Sequence, residues 1–334
     1  MDSHRDIFIS EFRTHLKIKN FPTIESWLQD FPPATQESTV KYSTINVEIK
    51  DKIPNPRLPN KRFEKDGKYS ITWYDTPSPA IFWQSNDWLE SKMLGTSDSS
   101  VITLTSTSEN LLGRWLRHFV IVKQYIDHSL VFLHATAISK NDKTFVLVGP
   151  SGAGKTTCAY AAHRFGWKVL ADETLLIFPN MNIMPFFSTI VWECRLTPQA
   201  KSLIDNLSRN NFPHESETTS NFTDYKGRLV IHPQEIVSMT SRFPITGVIA
   251  LQSHANKDDQ SVYQFDLNAI KSELKDRISM RSIFDMYSDD FDHWKDQAIG
   301  TYINLLNLPI HTFKHSGNLL EEIPAFISTV DSLL

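Results

Sequence analysis

Residues 144–166 read TFVLVGPSGAGKTTCAYAAHRFG and predict a strand, a glycine-rich loop and a helix in that order. The apolar run Thr144–Val148 is typical of a buried strand. The alanine-rich residues after the loop favour a helix, and Gly166 follows them where a helix C′ glycine belongs. An apolar run at Val131–Ile138 and a polar turn at Ser139–Lys143 indicate a hairpin that leads into the loop. These elements together predict an α/β domain.

The loop matches every position of G-x-x-x-x-G-K-[ST], the Walker A or P-loop pattern. In such a loop the backbone N–H groups converge on a phosphate, which requires glycine where a side chain would collide or where φ is positive. Lys155 is placed to reach the β- and γ-phosphates of ATP or GTP, and the hydroxyl of Thr156 can bind Mg²⁺. The predicted phosphate-binding residues are Gly149, Pro150, Ser151, Gly152, Ala153, Gly154, Lys155, Thr156 and Thr157.

The next apolar run, WKVLADE, ends in two carboxylates, Asp172 and Glu173. A parallel strand next to the loop strand would bring Asp172 to the sheet edge at which the loop lies, where ligands bind in open α/β sheets. Two roles are open for these carboxylates, namely holding Mg²⁺ and accepting a proton from an attacking hydroxyl. A solvated strand end is the ordinary alternative. We expect Asp172 to fill one or both of the chemical roles.

Three other residues are candidates with weaker signals. His134 lies in VFLHATAI on a predicted strand, where a histidine is more often a core residue than a catalytic one. Glu193 in VWECRL and Arg228 in YKGRLVIHP carry little information by themselves. An arginine directed at a transferring phosphoryl group would stabilise its charge, but spacing alone does not select one.

A chain of 334 residues predicts two domains. An amphipathic helix at Ser108–Asp127 would close an N-terminal α+β domain of residues 1–127, and a catalytic domain of residues 128–334 would follow. The first domain shows no catalytic motif, which makes it a candidate cover or substrate-selecting domain. Its expected elements are helices near Asp6–Ile18 and Ile24–Phe31, strands at Lys41–Ile49 and Tyr69–Tyr74, and a loop at Ile53–Asn60.

Later apolar runs predict further strands of the same sheet as the loop strand, at Leu175–Phe178, Ile245–Leu251 and Ile310–Phe313. The segment Ser208–Tyr225 is rich in Asn, Ser, Thr and Glu, which is typical of a mobile surface loop or lid.

Composition narrows the range of partners. The 34 basic and 38 acidic residues give a net charge of -4, which argues against a nucleic-acid-binding surface. No run approaches the roughly 18 apolar residues needed to span a bilayer. The charged N-terminal segment does not resemble a secretory signal, so the expected location is the cytoplasm, with no membrane partner. Cys158 and Cys194 are too few for a disulfide framework.

The segments LHATAI, GPSGAGKTT and WKVLADE, in this order, resemble the kinase domain of HPr kinase/phosphorylase and its relatives. The resemblance covers residues 128–180 well and the remainder loosely. It implies a fold similar to that of phosphoenolpyruvate carboxykinase, with a mixed sheet and the phosphate loop at one edge. His134 matches the family's pre-loop histidine. The match also makes Lys155 and Thr156 phosphate and metal contacts, and it gives the acidic pair a catalytic base and a metal contact.

Two further matches follow from the resemblance. Glu193-Cys194-Arg195 is similar to the family's Glu-x-Arg, which implies that Glu193 is a metal ligand. Arg228 echoes an arginine-bearing loop near the family's phosphate site. Leu196-Thr197-Pro198 replaces the glycine-containing run that follows Glu-x-Arg in the family, so HPr itself is not the expected substrate. The chain looks closer to relatives that phosphorylate free serine or ribosomally made peptides.

The sequence therefore predicts a Mg²⁺-dependent kinase that transfers the γ-phosphoryl group of ATP or GTP to a hydroxyl of a peptide or small molecule. The alternative is a nucleotide-gated P-loop sensor that hydrolyses the triphosphate with water as the only acceptor. The identity of the acceptor, the division of roles between Asp172 and Glu173, and formation of a homo-oligomer stay open at this stage.

Overall fold

The computed structural model describes the backbone of eight strands within residues 4–106, and most of the chain from residue 130 onward. The described ranges after residue 129 are 130–172, 175–187, 192–194, 196–211, 229–231, 242–253, 265–266, 268, 291–316 and 318–334. The chain divides into two compact units, residues 1–128 with 277–295, and residues 129–276 with 296–334.

The first unit contains an eight-stranded sheet in the order β1-β2-β3-β8-β7-β6-β5-β4. The strands are β1 His4–Ile9, β2 Thr14–Lys19, β3 Ser43–Ile49, β4 Lys61–Lys65, β5 Tyr69–Tyr74, β6 Ala80–Ser85, β7 Ser91–Ser97 and β8 Val101–Ser106. β3 pairs in parallel with both β2 and β8, and the other pairs are antiparallel. The predicted strand at Tyr69–Tyr74 is confirmed, and the one at Lys41–Ile49 is confirmed from Ser43 onward.

The predicted helix at Asp6–Ile18 is wrong, because that segment contains the antiparallel pair β1 and β2. Leu16 and Ile18 alternate with lysines, which is the two-residue period of a strand and not the period of a helix. The predicted elements Ile24–Phe31, Ile53–Asn60 and Ser108–Asp127 lie outside the described residues.

The second unit has a mixed α/β fold built on a six-stranded mixed sheet in the order β15-β12-β10-β11-β19-β20. A four-stranded sheet, β18-β14-β13-β9, and a two-stranded sheet, β16-β17, accompany it. The strands are β9 Val131–Leu133, β10 Thr136–Lys140, β11 Lys143–Val148, β12 Lys168–Asp172, β13 Leu175–Ile177, β14 Asn182–Met184, β15 Phe186–Phe187, β16 Trp192–Cys194, β17 Leu229–Ile231, β18 Phe243–Pro244, β19 Gly247–Ser253 and β20 Ile310–His315.

The sequence predicted that the strand ending at Asp172 would be the direct neighbour of the loop strand. The structure shows that it is not. β10 lies between β11 and β12 and pairs antiparallel with both. Two antiparallel steps restore the direction, so β11 and β12 still run the same way and their carboxyl ends reach the same sheet edge. The predicted edge is therefore right and the predicted adjacency is wrong. The parallel neighbour of β11 is β19, and β20 lies beyond it.

The apolar run Val131–Ile138 is two strands and not one. It breaks at His134 and Ala135, where the amide of Ala135 donates to the carbonyl of Leu133 at 2.9 Å. β9 then belongs to the four-stranded sheet and β10 to the six-stranded sheet. The sequence predicted β13 as part of the loop strand's sheet. The chain changes sheets again after β12, and β13 pairs with β9 in the four-stranded sheet.

Four helices and one short turn complete the described part of the second unit, except that the first five residues of the third helix, 291–295, belong to the first unit. They are α1 Lys155–Arg164, α2 Pro198–Asn211, α3 Phe291–Leu306, a 3₁₀ turn Leu319–Glu322 and α4 Ile323–Ser332. The predicted lid Ser208–Tyr225 starts too early, since α2 continues to Asn211 and Ser208 is buried within it. Residues 212–225 lie outside the described residues. No helix of the described residues is both long enough and apolar enough to cross a bilayer.

The core of this unit lies between one face of the six-stranded sheet and the helices. Alternate residues of β11 and β19 join the buried cluster, together with five of the ten residues of α1 and the inner face of α4. The largest fully buried side chains of that cluster are Phe145, Tyr160, Trp167 and Phe326, and each is at most 2% exposed. The packing holds the start of α1 at the carboxyl edge of the sheet.

The hairpin before the loop and the end of the helix after it follow local rules. Asn141 and Asp142 have φ values of 50° and 60° and link β10 to β11 as a two-residue turn, which fits the right-handed twist of a hairpin. Gly166 ends α1 with φ +81°, and Trp167 donates its amide to the carbonyl of Ala162 at 3.0 Å. This is the Schellman arrangement that the glycine predicted.

Candidate functional site

The loop between β11 and α1 has a backbone that two glycines make possible. Gly154 is the N-cap of α1 and has φ +87°, a left-handed conformation that other residues rarely adopt. A methyl group in its place would also collide with the side chain of Leu319. At the other end of the loop, a Cβ on Gly149 would lie 2.9 Å from the carbonyl oxygen of Leu251 in β19. The loop is thus pressed between β19 and the 3₁₀ turn.

The first turn of α1 directs backbone donors toward the loop. The amide of Cys158 makes the first helical bond, to the carbonyl of Gly154 at 2.9 Å. The amides of Lys155, Thr156 and Thr157 precede it, so they have no carbonyl within the helix to bond to. The first turn contains no acidic side chain. Such a helix start, with its positive dipole end, suits a phosphate group.

Lys155 lies across the mouth of this loop. Its ammonium group donates to the carbonyl of Gly149 at 2.7 Å and to the carbonyl of Pro150 at 3.1 Å. The residue is only 7% exposed, so the cation is held inside the curve of the loop and not in bulk solvent. A phosphate in the loop would meet the lysine there, and the charge of the anion would compensate the buried cation.

The carboxylate of Asp172 joins the loop to β12. Its Oδ1 accepts a hydrogen bond from the hydroxyl of Thr156 at 3.2 Å and a second from the hydroxyl of Thr136 at 2.6 Å. Asp172 is 5% exposed. A hydroxyl has one hydrogen and two lone pairs, so Thr156 can donate to Asp172 and still offer oxygen to a metal ion. Carboxylate and hydroxyl oxygens are ligands that Mg²⁺ prefers.

A β-bulge explains why the side chain of Asp172 reaches this position. Ile138 pairs with Val169, but Ala137 pairs with Ala171, so Leu170 is one extra residue in β12. Successive residues of a strand point to opposite faces, and one extra residue reverses the faces of all later residues. Without the bulge, Asp172 would point to the face of the sheet away from Thr136.

The other sequence-predicted residues are placed less completely. His134 is half-buried at the break between β9 and β10, two residues before Thr136. Glu193 lies in β16, which contacts α1, and its backbone pairs with Val230. Leu229, which pairs with Cys194, directly follows Arg228 in the sequence. Glu173 and Arg228 lie outside the described residues.

Two residues at this sheet edge were not predicted from the sequence. Thr136 is fully buried, and the signal for it was a single hydroxyl in the apolar run LHATAI. Gln252 lies near the carboxyl end of β19, two residues after Ala250, which pairs with Val148 at the start of the loop. It is 8% exposed. A glutamine at the end of an apolar strand is a weak signal until the strand is known to lie beside the loop.

The Cys158 thiol is not a candidate nucleophile, and the described residues contain no preformed all-protein metal cage. Burial raises the pKa of the Cys158 thiol far above its usual value, so this thiol stays protonated. Across the described ranges, no three His, Cys, Asp or Glu side chains come together as a metal-binding group. Mg²⁺ that enters with a nucleotide needs fewer protein ligands, because phosphate oxygens and water supply the others.

Comparison with known proteins adds no family assignment. No protein-family model matches the chain, and no curated protein matches its sequence. The resemblance to HPr kinase therefore stays a prediction that rests on the three sequence segments and their order.

Proposed function

We propose that this protein is a Mg²⁺-dependent kinase that transfers the γ-phosphoryl group of ATP or GTP to a hydroxyl group of a peptide or small molecule. The observation that carries the proposal is the 3.2 Å hydrogen bond from Thr156 to Asp172, which connects the Walker A loop to the acidic end of β12. The mixed sheet with this loop at its carboxyl edge is compatible with the HPr kinase-like fold that we propose for the second unit.

Each part of the site has a proposed role. The loop amides and the start of α1 bind the β-phosphate, and Lys155 moves from its carbonyl partners to the β- and γ-phosphates. Thr156 and Asp172 hold the metal, which when bound neutralises charge on the phosphate oxygens. The two hydroxyl bonds to Asp172 support a metal-holding role for this carboxylate. Glu173 is its partner in the acidic pair, and the two share the roles of metal ligand and base.

The remaining predicted residues have proposed supporting roles. His134 stands two residues before Thr136 and is proposed to assist at the acceptor side, as its match in the resembling family implies. Glu193 is proposed as a further metal ligand and Arg228 as a phosphate contact. The N-terminal unit is proposed to select or cover the acceptor, and ATP, GTP and Mg²⁺ are the proposed ligands.

The test is phosphoryl transfer to a defined acceptor. The protein is incubated with Mg²⁺ and γ-labelled ATP or GTP, with and without a library of hydroxyl-bearing peptides, amino acids and metabolites. Mass spectrometry then detects the gain of one phosphate. Transfer to one acceptor that needs both the protein and Mg²⁺ is expected.

Lys155→Ala is the negative control for that assay, and Lys201→Ala is its matched control on α2. Lys155→Ala should lose transfer by on the order of 10²–10³-fold or more, because a cation that stabilises the transferring group is removed. Lys201→Ala should keep transfer. Wild-type turnover in Lys155→Ala would remove the loop from the mechanism. Hydrolysis with water as the only acceptor across the library would favour the nucleotide-gated sensor.

A further inference from the structure

The hydroxyl of Thr136 is a buried polar group in a strand of apolar residues. Thr136 opens β10 between Ala135 and Ala137, and all three are 0% exposed. Burying a hydroxyl without a hydrogen bond is costly, so the position favours an apolar residue unless the hydroxyl has a specific partner. That partner is Asp172, whose Oδ1 lies 2.6 Å from Thr136 Oγ1.

The contact depends on two separate strands and not on the phosphate loop. Thr136 is fixed by its place in β10, between β11 and β12. Asp172 faces it because Leu170 is an extra residue in β12. Thr156, in contrast, belongs to the loop and helix that would contact a nucleotide. The carboxylate thus has one hydroxyl partner on the rigid sheet and one on the ligand-binding loop.

The two hydroxyls contact the same carboxylate oxygen, Oδ1. The bond from Thr136 is 2.6 Å long and is therefore shorter than the bond from Thr156, which is 3.2 Å long. When the oxygen of Thr156 also binds a metal ion, its 3.2 Å bond to Asp172 can lengthen or turn. The bond from Thr136 can hold the carboxylate in place during that change, because nothing in β10 has to move.

We propose that Thr136 is a positioning residue that fixes the Asp172 carboxylate for binding of a metal–nucleotide complex. The inference rests on the proposed nucleotide site and adds a residue to it. Its action is indirect, because Thr136 contacts the carboxylate and not the ligand. Groups that orient metal-binding carboxylates contribute on the order of 10–100-fold to metal affinity.

The experiment compares Thr136→Val with Thr136→Ser. Valine keeps the shape of threonine and removes the hydroxyl, and serine keeps the hydroxyl. Binding of a fluorescent ATP analogue is measured across a range of Mg²⁺ concentrations and in EDTA. Thr136→Val should raise the Mg²⁺ concentration needed for half-maximal binding by about 10–100-fold. Its affinity for the analogue in EDTA should stay unchanged, and Thr136→Ser should restore most of the Mg²⁺ dependence.

Thr144→Val is the matched control. Thr144 is also a buried threonine of this sheet, and its hydroxyl donates to Ser139 at 3.1 Å at the far end of the same hairpin. Its replacement should leave the Mg²⁺ dependence of binding at the wild-type value. An equal change in Thr144→Val and Thr136→Val would assign the effect to general weakening of the sheet and overturn the proposal.

The remaining outcomes are also decisive. Wild-type Mg²⁺ dependence in Thr136→Val, or equal loss in the valine and serine variants, would overturn the role of the hydroxyl. If Thr136→Val does not fold, Thr136→Ala replaces it, and a change in the same direction is expected because the threonine hydroxyl is again removed. In an Asp172→Asn background, Thr136→Val should have no further effect. If the wild-type protein itself binds no nucleotide, the proposed function fails before Thr136 is tested.

Discussion

The two ends of α1 both carry a glycine in the left-handed conformation, yet they serve different purposes. Gly154 has φ +87° at the start of the helix and Gly166 has φ +81° after its end. At the end, the amides of Gly166 and Trp167 bond to the last helical carbonyls, so the chain completes its own hydrogen bonds. At the start, the first amides point toward the glycine-rich loop. The same backbone conformation therefore completes the hydrogen bonds at one end and leaves the amides at the other end directed toward the glycine-rich loop.

A carboxylate lies near each end of the helix, and the partners of the two differ. Asp205 of α2 accepts the hydroxyl of Tyr160 at 2.7 Å, and it forms ion pairs with Arg164 at 3.1 Å and Lys201 at 2.6 Å. Asp172 receives the hydroxyls of Thr136 and Thr156. Asp205 therefore links α1 to α2, whereas Asp172 links β10 to the first turn of α1.

Exchange of each carboxylate for an amide tests this contrast and has the largest expected effect. Asp172→Asn should keep nucleotide binding in EDTA and lose phosphoryl transfer by about 10²–10⁴-fold if the carboxylate is the base. Loss of Mg²⁺-dependent nucleotide binding would instead assign it to the metal. Asp205→Asn should keep transfer and lower the free energy of unfolding by about 1–3 kcal/mol, because Arg164 and Lys201 lose their counter-charge.

Transfer rates and urea denaturation of both variants are the measurements. The contrast fails if Asp205→Asn loses transfer at unchanged stability, or if Asp172→Asn transfers like the wild type.

Replacement of each glycine by alanine breaks the two ends separately. Gly166→Ala meets no atom within 4 Å, so only the left-handed backbone opposes it, at about 1–2 kcal/mol. Gly154→Ala adds a collision with Leu319 and should cost about 2–5 kcal/mol. Nucleotide affinity should fall in Gly154→Ala alone. Denaturation curves and nucleotide titrations decide this, and equal nucleotide affinity in the two variants would contradict it.

A pH titration gives the smallest expected effect and concerns the closed end of α1. Burial, and next the charge of Arg164, lower the pKa of His163 from 6.5 to about 4. The unfolded chain therefore binds a proton at a higher pH than the folded chain does. The contribution of His163 to the free energy of unfolding is therefore fully present above pH 6.5. It decreases by on the order of 1–3 kcal/mol as the pH falls toward 4.

His163→Gln should reduce that loss, because glutamine does not titrate. Urea denaturation of the wild type and the variant at pH 7.0, 5.5 and 4.5 checks the difference. Parallel stability curves for the two proteins would exclude His163 as the source of the pH dependence.

The loop, α1 and its terminal glycine could be predicted because local sequence specifies them. Glycine at positive φ, the alanine-rich helix and the apolar strands β19 and β20 need no knowledge of distant residues. The insertion of β10 between β11 and β12 could not be predicted, since strand order depends on pairing between distant segments. The extra residue Leu170 was equally hidden, because it differs from its apolar neighbours only in having no partner across the sheet.

The same hidden bulge decides whether the site is assembled. The sequence placed Asp172 at the right edge, but the period of a regular strand would turn it away from Thr136. Thr136 was missed for a related reason, since a threonine is common in strands and signals nothing until its partner is known. Chemistry-bearing residues could thus be named one at a time from the sequence, while their contacts required the paired strands.

The side chain of Leu319 lies against Gly154, although the two residues are far apart in the sequence. Leu319 belongs to a turn that Glu322 holds through bonds to the amide and hydroxyl of Ser316 at 2.8 and 2.6 Å. A ribosome adds on the order of 5–20 residues per second, so the glycine loop leaves it many seconds before this leucine does. The nascent chain therefore contains the glycine-rich loop long before it contains Leu319, which packs against that loop. We expect the proposed nucleotide site to be complete only after the chain has been synthesised past Leu319.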